Sequence, residues 1–144
     1  MTKAGERSVV KAEGAYGGAG YILKEALITE AQMGEHCTMF HNVTIPVGCE
    51  LGYHEHHGNT EAYYMLTGKG LYTDDDKQYE IEAGDVVFCE EGHGHGLKNT
   101  GDVDITFVAL VLKKSWKRQS APNSGMFCFS CRNTAPDSAA GICK

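Results

Sequence analysis

The sequence predicts an all-β chain closed into a single barrel or sandwich, and three observations predict it. Glycine, 18 residues in all, falls at Gly48, Gly52, Gly58, Gly68, Gly70, Gly84, Gly92, Gly94, Gly96 and Gly101, between short segments of β-type composition. That is the pattern of many short strands joined by turns. The segment after Glu61 alternates in polarity as a half-buried strand does. At 144 residues and 42% hydrophobic content, the chain is long enough for one domain with a real core and too short for two ordinary ones.

Taken in order, Lys24 to Met33 is the only stretch with helical character, and it is short. Strands are expected over Cys37 to Val47, Glu61 to Thr67, Gln78 to Glu82, Asp85 to Cys89 and Asp104 to Leu112. Asp74, Asp75, Asp76 and Lys77 supply a polar hairpin turn, whose acidic residues read as solvated turn chemistry rather than a calcium loop. Cys37, Cys49 and Cys89 sit in apolar strand-like segments and read as reduced, structural cysteines. From Lys113 onward the composition turns to Ser, Asn, Ala and Pro with no period of 2 or 3.6, which marks a flexible tail over 114–144. The tail holds Cys128 and Cys131 in a CxxC, with Cys143 further on, but no histidine to complete a zinc knuckle.

The balance of 13 basic against 19 acidic residues gives a formal charge of −6, which disfavours nucleic acid or an anionic membrane as partner. No apolar run approaches the roughly 18 residues of a membrane span, and the first residues, MTKAGERSVVKAEG, lack a signal-peptide core. A soluble, cytoplasmic protein with a small-molecule ligand is expected.

The chemistry concentrates in GYHEHHGNTEAYYMLTG, residues 52–68. Residues two apart on a strand share a face, so His54 and His56 present both imidazoles to one side, and His57 faces the other way. Glu61 opens the next strand and can return to the same point if the two strands are antiparallel neighbours. A fourth ligand is available in GDVVFCEEGHGHGLKN, where His93 and His95 follow a strand and a turn. Three imidazoles and a carboxylate suit Fe, Mn, Ni, Co or Zn in a site with open positions, and the absence of thiolate argues against a closed structural zinc.

These residues resemble the two motifs of the cupin superfamily. Gly48, His54, His56, Glu61 and Gly68 stand at the spacings of the first motif; Gly84, Glu91, Gly92, His95 and Asn99 stand at those of the second, with Glu90 where the family usually has proline. Proline would pre-set the bend before the ligand, and glutamate leaves it looser. The resemblance spans about 18–113, leaving residues 1–17 as an N-terminal arm. It implies a double-stranded β-helix, or jelly-roll barrel, of the single-domain type. It also implies one divalent transition metal per chain held by His54, His56, Glu61 and His95, and a homodimer.

Around that centre, Tyr63 shares the inward parity of Glu61, as does Met65, while Tyr64 and Leu66 face outward; Tyr63 is a candidate catalytic phenol. His93 is a candidate acid or base if its ring reaches the cavity, with Glu90 as a further candidate. Parity does not fix which of Phe40 and His41 points inward. The functional expectation is a metal-dependent enzyme acting on a small, oxygen-rich chelating metabolite, of isomerase, lyase, decarboxylase or dioxygenase type. The competing reading is a binding or sensing module that holds its ligand without turnover.

Overall fold

The computed structural model describes residues 1–114. Ten strands fill most of them, in order β1 (Val9–Glu13), β2 (Tyr21–Ala26), β3 (Cys37–Ile45), β4 (Glu50–Glu55), β5 (Asn59–Thr67), β6 (Lys69–Asp74), β7 (Lys77–Glu82), β8 (Val86–Cys89), β9 (Gly94–Asn99) and β10 (Ile105–Lys113). They form a six-stranded sheet, β1-β2-β3-β10-β5-β8, and a four-stranded sheet, β4-β9-β6-β7. Every pairing is antiparallel. Period-2 alternation is clearest in β10, whose odd-numbered residues Ile105, Phe107, Ala109 and Val111 are buried. With Ile22, Val43, Ile45, Met65, Ile81 and Leu97 they build the core between the sheets. The architecture is the all-β double-stranded jelly roll that the sequence implies.

The expected helix over Lys24–Met33 forms only at its C-terminal end. Residues 24–26 belong to β2, hydrogen-bonded to β1 on one side and β3 on the other. Helix α1 is a single turn, Glu30–Met33, started by a capping box in which Thr29 and Gln32 satisfy each other's backbone. Pairing on both edges outweighs the helical propensity of Lys-Glu-Ala-Leu. Strands β1, β4, β6 and β9 carry little sequence signal. β1 is mostly exposed and therefore does not alternate, and residues 9–13 of the N-terminal arm pair with β2. β9, GHGLKN, reads as glycine punctuation, yet five of its six residues are buried.

Two glycines determine how the N-terminal segment lies on the barrel. A Cβ at Gly18 would come within 2.4 Å of the Glu50 carbonyl oxygen, and one at Gly52 within 2.3 Å of the Tyr16 carbonyl oxygen. Backbone crosses backbone there, and only glycine permits it. The same Gly52 lies in a β-bulge: β4 advances from Leu51 to His54 while β9 retreats only from Leu97 to His95. The extra residue turns both Leu51 and His54 inward, although they are an odd number apart. Asn99, 2% exposed, donates to the carbonyls of Ile45 and Val103 and accepts from the Gly101 amide, fixing the turn into β10.

Cys37, Cys49 and Cys89 are free thiols, and burial pushes the Cys89 thiol up to about 11, which keeps it protonated and unreactive. Cys128, Cys131 and Cys143 lie outside the described residues. Among the described residues no helix is long and apolar enough to cross a membrane.

Candidate metal centre

His54, the last residue but one of β4, lies directly opposite His95 on β9, both in the four-stranded sheet. His56 follows β4 by one residue but keeps an extended course, because its amide donates to the His93 carbonyl and its own carbonyl accepts from Gly92. Glu61 comes from β5, in the other sheet, between Val111 and Cys89. One ligand atom from each of His54, His56, Glu61 and His95 falls within a single group in which all four lie within 4.8 Å of one another. The site therefore closes across the gap between the two sheets.

The geometry of the imidazoles is specific. The Nε2 atoms of His95, His56 and His54 stand 2.9, 3.2 and 3.5 Å from Glu61 Oε2. Each Nδ1 is held from behind: His54 by the Gly52 carbonyl at 3.0 Å, His56 by Asn59 Oδ1 at 2.5 Å, and His95 by the Tyr72 hydroxyl at 2.9 Å. A carbonyl oxygen can only accept, so His54 carries its proton on Nδ1 and turns a lone pair inward from Nε2. The amide oxygen of Asn59 imposes the same tautomer on His56. Oxygen partners behind ring nitrogens are the usual support for metal-binding histidines.

Burial raises the Glu61 carboxyl, but its contacts with the His54 and His95 rings and with the Tyr63 hydroxyl outweigh it and hold the group at about 2. Burial, reinforced by His54 and His56, lowers His95 and favours neutral imidazole despite Glu61. An ionised carboxylate among neutral imidazoles is the protonation state that metal binding requires. His56 Nε2 and His95 Nε2 are also only 3.0 Å apart, so two potential lone-pair donors crowd a point that a cation would fill. The residues fit a divalent metal of the N/O-binding class.

Tyr63, 1% exposed, stacks on His95 at 4.9 Å and donates from its hydroxyl to Glu61 Oε2 at 2.8 Å. Burial first, and then the Glu61 charge, raise this phenol well above its ordinary value, so it remains a donor at neutral pH. Met65 is buried beside it while Tyr64 and Leu66 are exposed, matching the parity expected of β5. The ligand group opens into a cavity of about 440 Å³ lined by Tyr63, Asn59, Leu51, Phe107, Lys24 and Tyr16, among others.

The structure does not bring His93 into this group. Its side chain is 53% exposed, and its Nδ1 is 2.6 Å from Asp75 Oδ2. The reason is local: His93 closes a turn onto the Glu90 carbonyl and precedes the first residue of β9, so strand alternation starts one residue too late to turn it inward. Asp75, in a left-handed conformation at the tip of the β6–β7 hairpin, accepts from His93 and from the Gly94 amide. Glu90 is exposed and contributes its carbonyl to that turn. His57 is outside the group as well, paired with Glu55 at 3.1 Å. His41, on the parity of Val43 and Ile45, is the inward residue of the Phe40–His41 pair.

Sequence reasoning missed Tyr72, Asn59 and Asp75, which orient His95, His56 and His93, and also missed Tyr16. Parity along β6 would have placed Tyr72 on the buried side with Gly70, had that strand been recognised. Tyr16 carries no sequence signal, since its stacking on the His54 ring at 4.0 Å depends on the glycine crossing described above.

Comparison with known proteins agrees with this geometry. The family model described as "Cupin domain" matches residues 41–111. An oxalate-binding protein of Thermotoga maritima is 35% identical over 96 residues, covering 67% of this chain and 79% of the relative. The chain is a cupin. The crystal structure of a "predicted oxalate decarboxylase" from T. maritima superimposes on this cupin with a TM-score of 0.76 at 31% identity, covering 78% of this chain and 98% of the other. KdgF from Halomonas sp., at 14% identity and TM-score 0.65 over 79% of this chain and 94% of its own, shares the fold.

Proposed function

We propose that this cupin binds one divalent transition metal through His54, His56, Glu61 and His95 and acts as an enzyme on a small chelating acid. The observation that carries the reading is the convergence of three imidazole Nε2 atoms on the Glu61 carboxylate at the floor of a cavity. When bound, such a metal supplies Lewis-acid polarisation of a chelated oxygen or, if it is iron, activation of dioxygen. His54, His56 and Glu61 line the cavity, so a substrate would approach such a metal from there.

The chain's own residues then have separable tasks. Asn59 and Tyr72 hold the His56 and His95 rings in orientation, while Phe107, Leu51 and Val43 exclude water from one side of the cavity. Tyr63 presents a protonated phenol beside Glu61, placed to donate to a ligand oxygen as charge develops on it. Its raised pKa suits an acid or a hydrogen-bond donor rather than a base.

The test is elemental analysis of the purified protein, followed by incubation of the loaded protein with oxalate and other α-oxygenated acids while product is followed. Manganese or zinc would direct the search to decarboxylase, lyase or isomerase chemistry, and iron to dioxygenase chemistry. Absence of metal after growth in supplemented medium would overturn the proposal. The name of the T. maritima relative favours a second reading, binding without turnover; tight association with no product over long incubation would select it. A homodimer in the cytoplasm completes the proposal. Tyr64, Val86 and Phe88 are exposed on the outer face of β5 and β8 and offer an apolar surface for the second copy, which light scattering would detect.

A further inference from the structure

The metal reading accounts for one end of the cavity and leaves Lys24 without a task. Lys24 is on β2, outside the segment that matches the cupin model. Its register partner is Val43, which is 2% exposed and lines the same cavity. Directly paired residues project to the same face of a sheet, so Lys24 is directed inward. It is the one lysine or arginine among the lining residues, and its neighbours in the wall, Ile22, Val43 and Phe107, are apolar.

Among the described residues no ion pair includes Lys24. The carboxylates that line the cavity are committed elsewhere, Glu55 to His57 and Glu61 to the three imidazoles. His41, two positions from Val43 and on the same face, has a buried Nδ1 with no hydrogen-bond partner. Burial and the Lys24 ammonium lower its pKa while Glu61 raises it, so its ring is within electrostatic reach of both ends of the cavity. A half-buried ammonium without a counter-ion is free to pair with a ligand anion.

We propose that Lys24 determines specificity by pairing with a second anionic group of the ligand, so that the site takes acids with a chelating end and a carboxylate several carbons away. The chelating end rests on the metal reading; the Lys24 end does not. Length follows from topology, because β2 lies three strands from β5 in the order β2-β3-β10-β5. At ~4.8 Å per strand that is about 14 Å along the sheet, more than a two-carbon acid spans even with the lysine stem reaching toward it. The cavity of about 440 Å³ equals roughly fifteen water volumes of ~30 Å³, which also exceeds what a two-carbon acid fills.

The experiment is a calorimetric titration of metal-loaded and metal-stripped protein with oxalate, 2-oxopentanoate and 2-oxopentanedioate. The last two have the same chain length and differ at the far carboxylate. The loaded wild type should bind the diacid about ten- to a hundredfold more tightly than the monoacid, the range of a charge-assisted pair. Lys24→Met should erase that preference and leave monoacid affinity, oxalate affinity and metal content unchanged, while Lys24→Arg should retain it. Lys24→Gln serves if the methionine variant fails to fold. Equal affinity of the wild type for the two acids, or a preference that survives in Lys24→Met, overturns the proposal. If the chain takes up no metal, the metal reading fails, and Lys24 is judged on the stripped protein alone. A diacid preference lost in Lys24→Met sustains it there, and no preference, or no binding, overturns it.

Discussion

The floor of the cavity and its opposite wall are built on contrary principles. At the floor, both nitrogens of His54, His56 and His95 have close oxygen partners, and Glu61 Oε2 meets all three Nε2 atoms and the Tyr63 hydroxyl. At the wall, Lys24 has no ion-pair partner among the described residues. Tyr16 adopts a left-handed φ of 52° that an aromatic residue rarely takes. A fully partnered floor holds one arrangement and suits an ion that does not vary. An unpartnered wall leaves its polar groups for whatever enters. The first is supplied by residues within the segment that matches the cupin model; Lys24 and Tyr16 precede that segment.

Breaking the floor should have the largest effect. Glu61→Ala removes the single carboxylate of the group and strands the buried imidazoles of His56 and His95 together with the half-buried His54. Elemental analysis should find no bound metal, and chemical denaturation a loss of about 1–3 kcal/mol, the cost of buried groups left unsatisfied.

Acid should do the same reversibly. His95 has a folded pKa below its ordinary value, so the unfolded chain takes up a proton that the folded chain refuses as pH falls below ~6.5, and stability declines from there. Glu61 is depressed from 4.5 to about 2, so its contribution is complete above 4.5 and is lost as pH falls toward 2. Both shifts have the same sign, and protons compete with metal for the imidazoles. Metal release and falling stability should therefore appear together on acidification, measured by denaturation and metal content across pH.

Tyr72→Phe tests the support rather than the ligands. The fold should persist while metal affinity falls about 10–100-fold, the usual cost of removing a hydrogen-bond partner behind a ligating histidine. A competition assay with a chelating dye would show it. Where the N-terminal segment meets the floor, Tyr16→Gly loses the stack on His54 but relieves the left-handed backbone, so stability should move by less than about 1 kcal/mol in either direction. The smallest effect belongs to His93→Ala. Its pair with Asp75 is solvent-exposed, and such pairs contribute little to stability. Metal content and turnover should match wild type, and a marked fall in turnover would return His93 to the mechanism.

Four of these residues were legible as a candidate metal-holding group because type and spacing coincided in two short segments. The motif placed His54, His56, Glu61 and His95 without any knowledge of which strands pair. Parity also sorted Tyr63 and Met65 from Tyr64 and Leu66, since β5 alternates regularly as far as Met65 and one of its faces is buried. Where parity failed, it failed for local reasons. The bulge at Gly52 breaks the count between Leu51 and His54, the turn before β9 takes His93 out of alternation, and β9 itself is hidden by its glycines. The acidic hairpin tip read as solvated turn chemistry, yet Asp75 is the residue that draws His93 to the rim. A turn aspartate acquires that role only when β9 lies beside β6.

By itself, then, the sequence determined an all-β barrel, its family motifs and the identity of a three-histidine, one-glutamate group. These are properties of local periodicity and of residue type at short range. Only the tertiary structure decided that Glu61 meets its imidazoles from the opposite sheet, that Tyr72 and Asn59 stand behind two of the rings, and that Tyr16 and Lys24 face the same cavity from the N-terminal segment. Each of these depends on which strands pair, on one bulge and on one glycine crossing, contacts between residues tens of positions apart that no local pattern encodes.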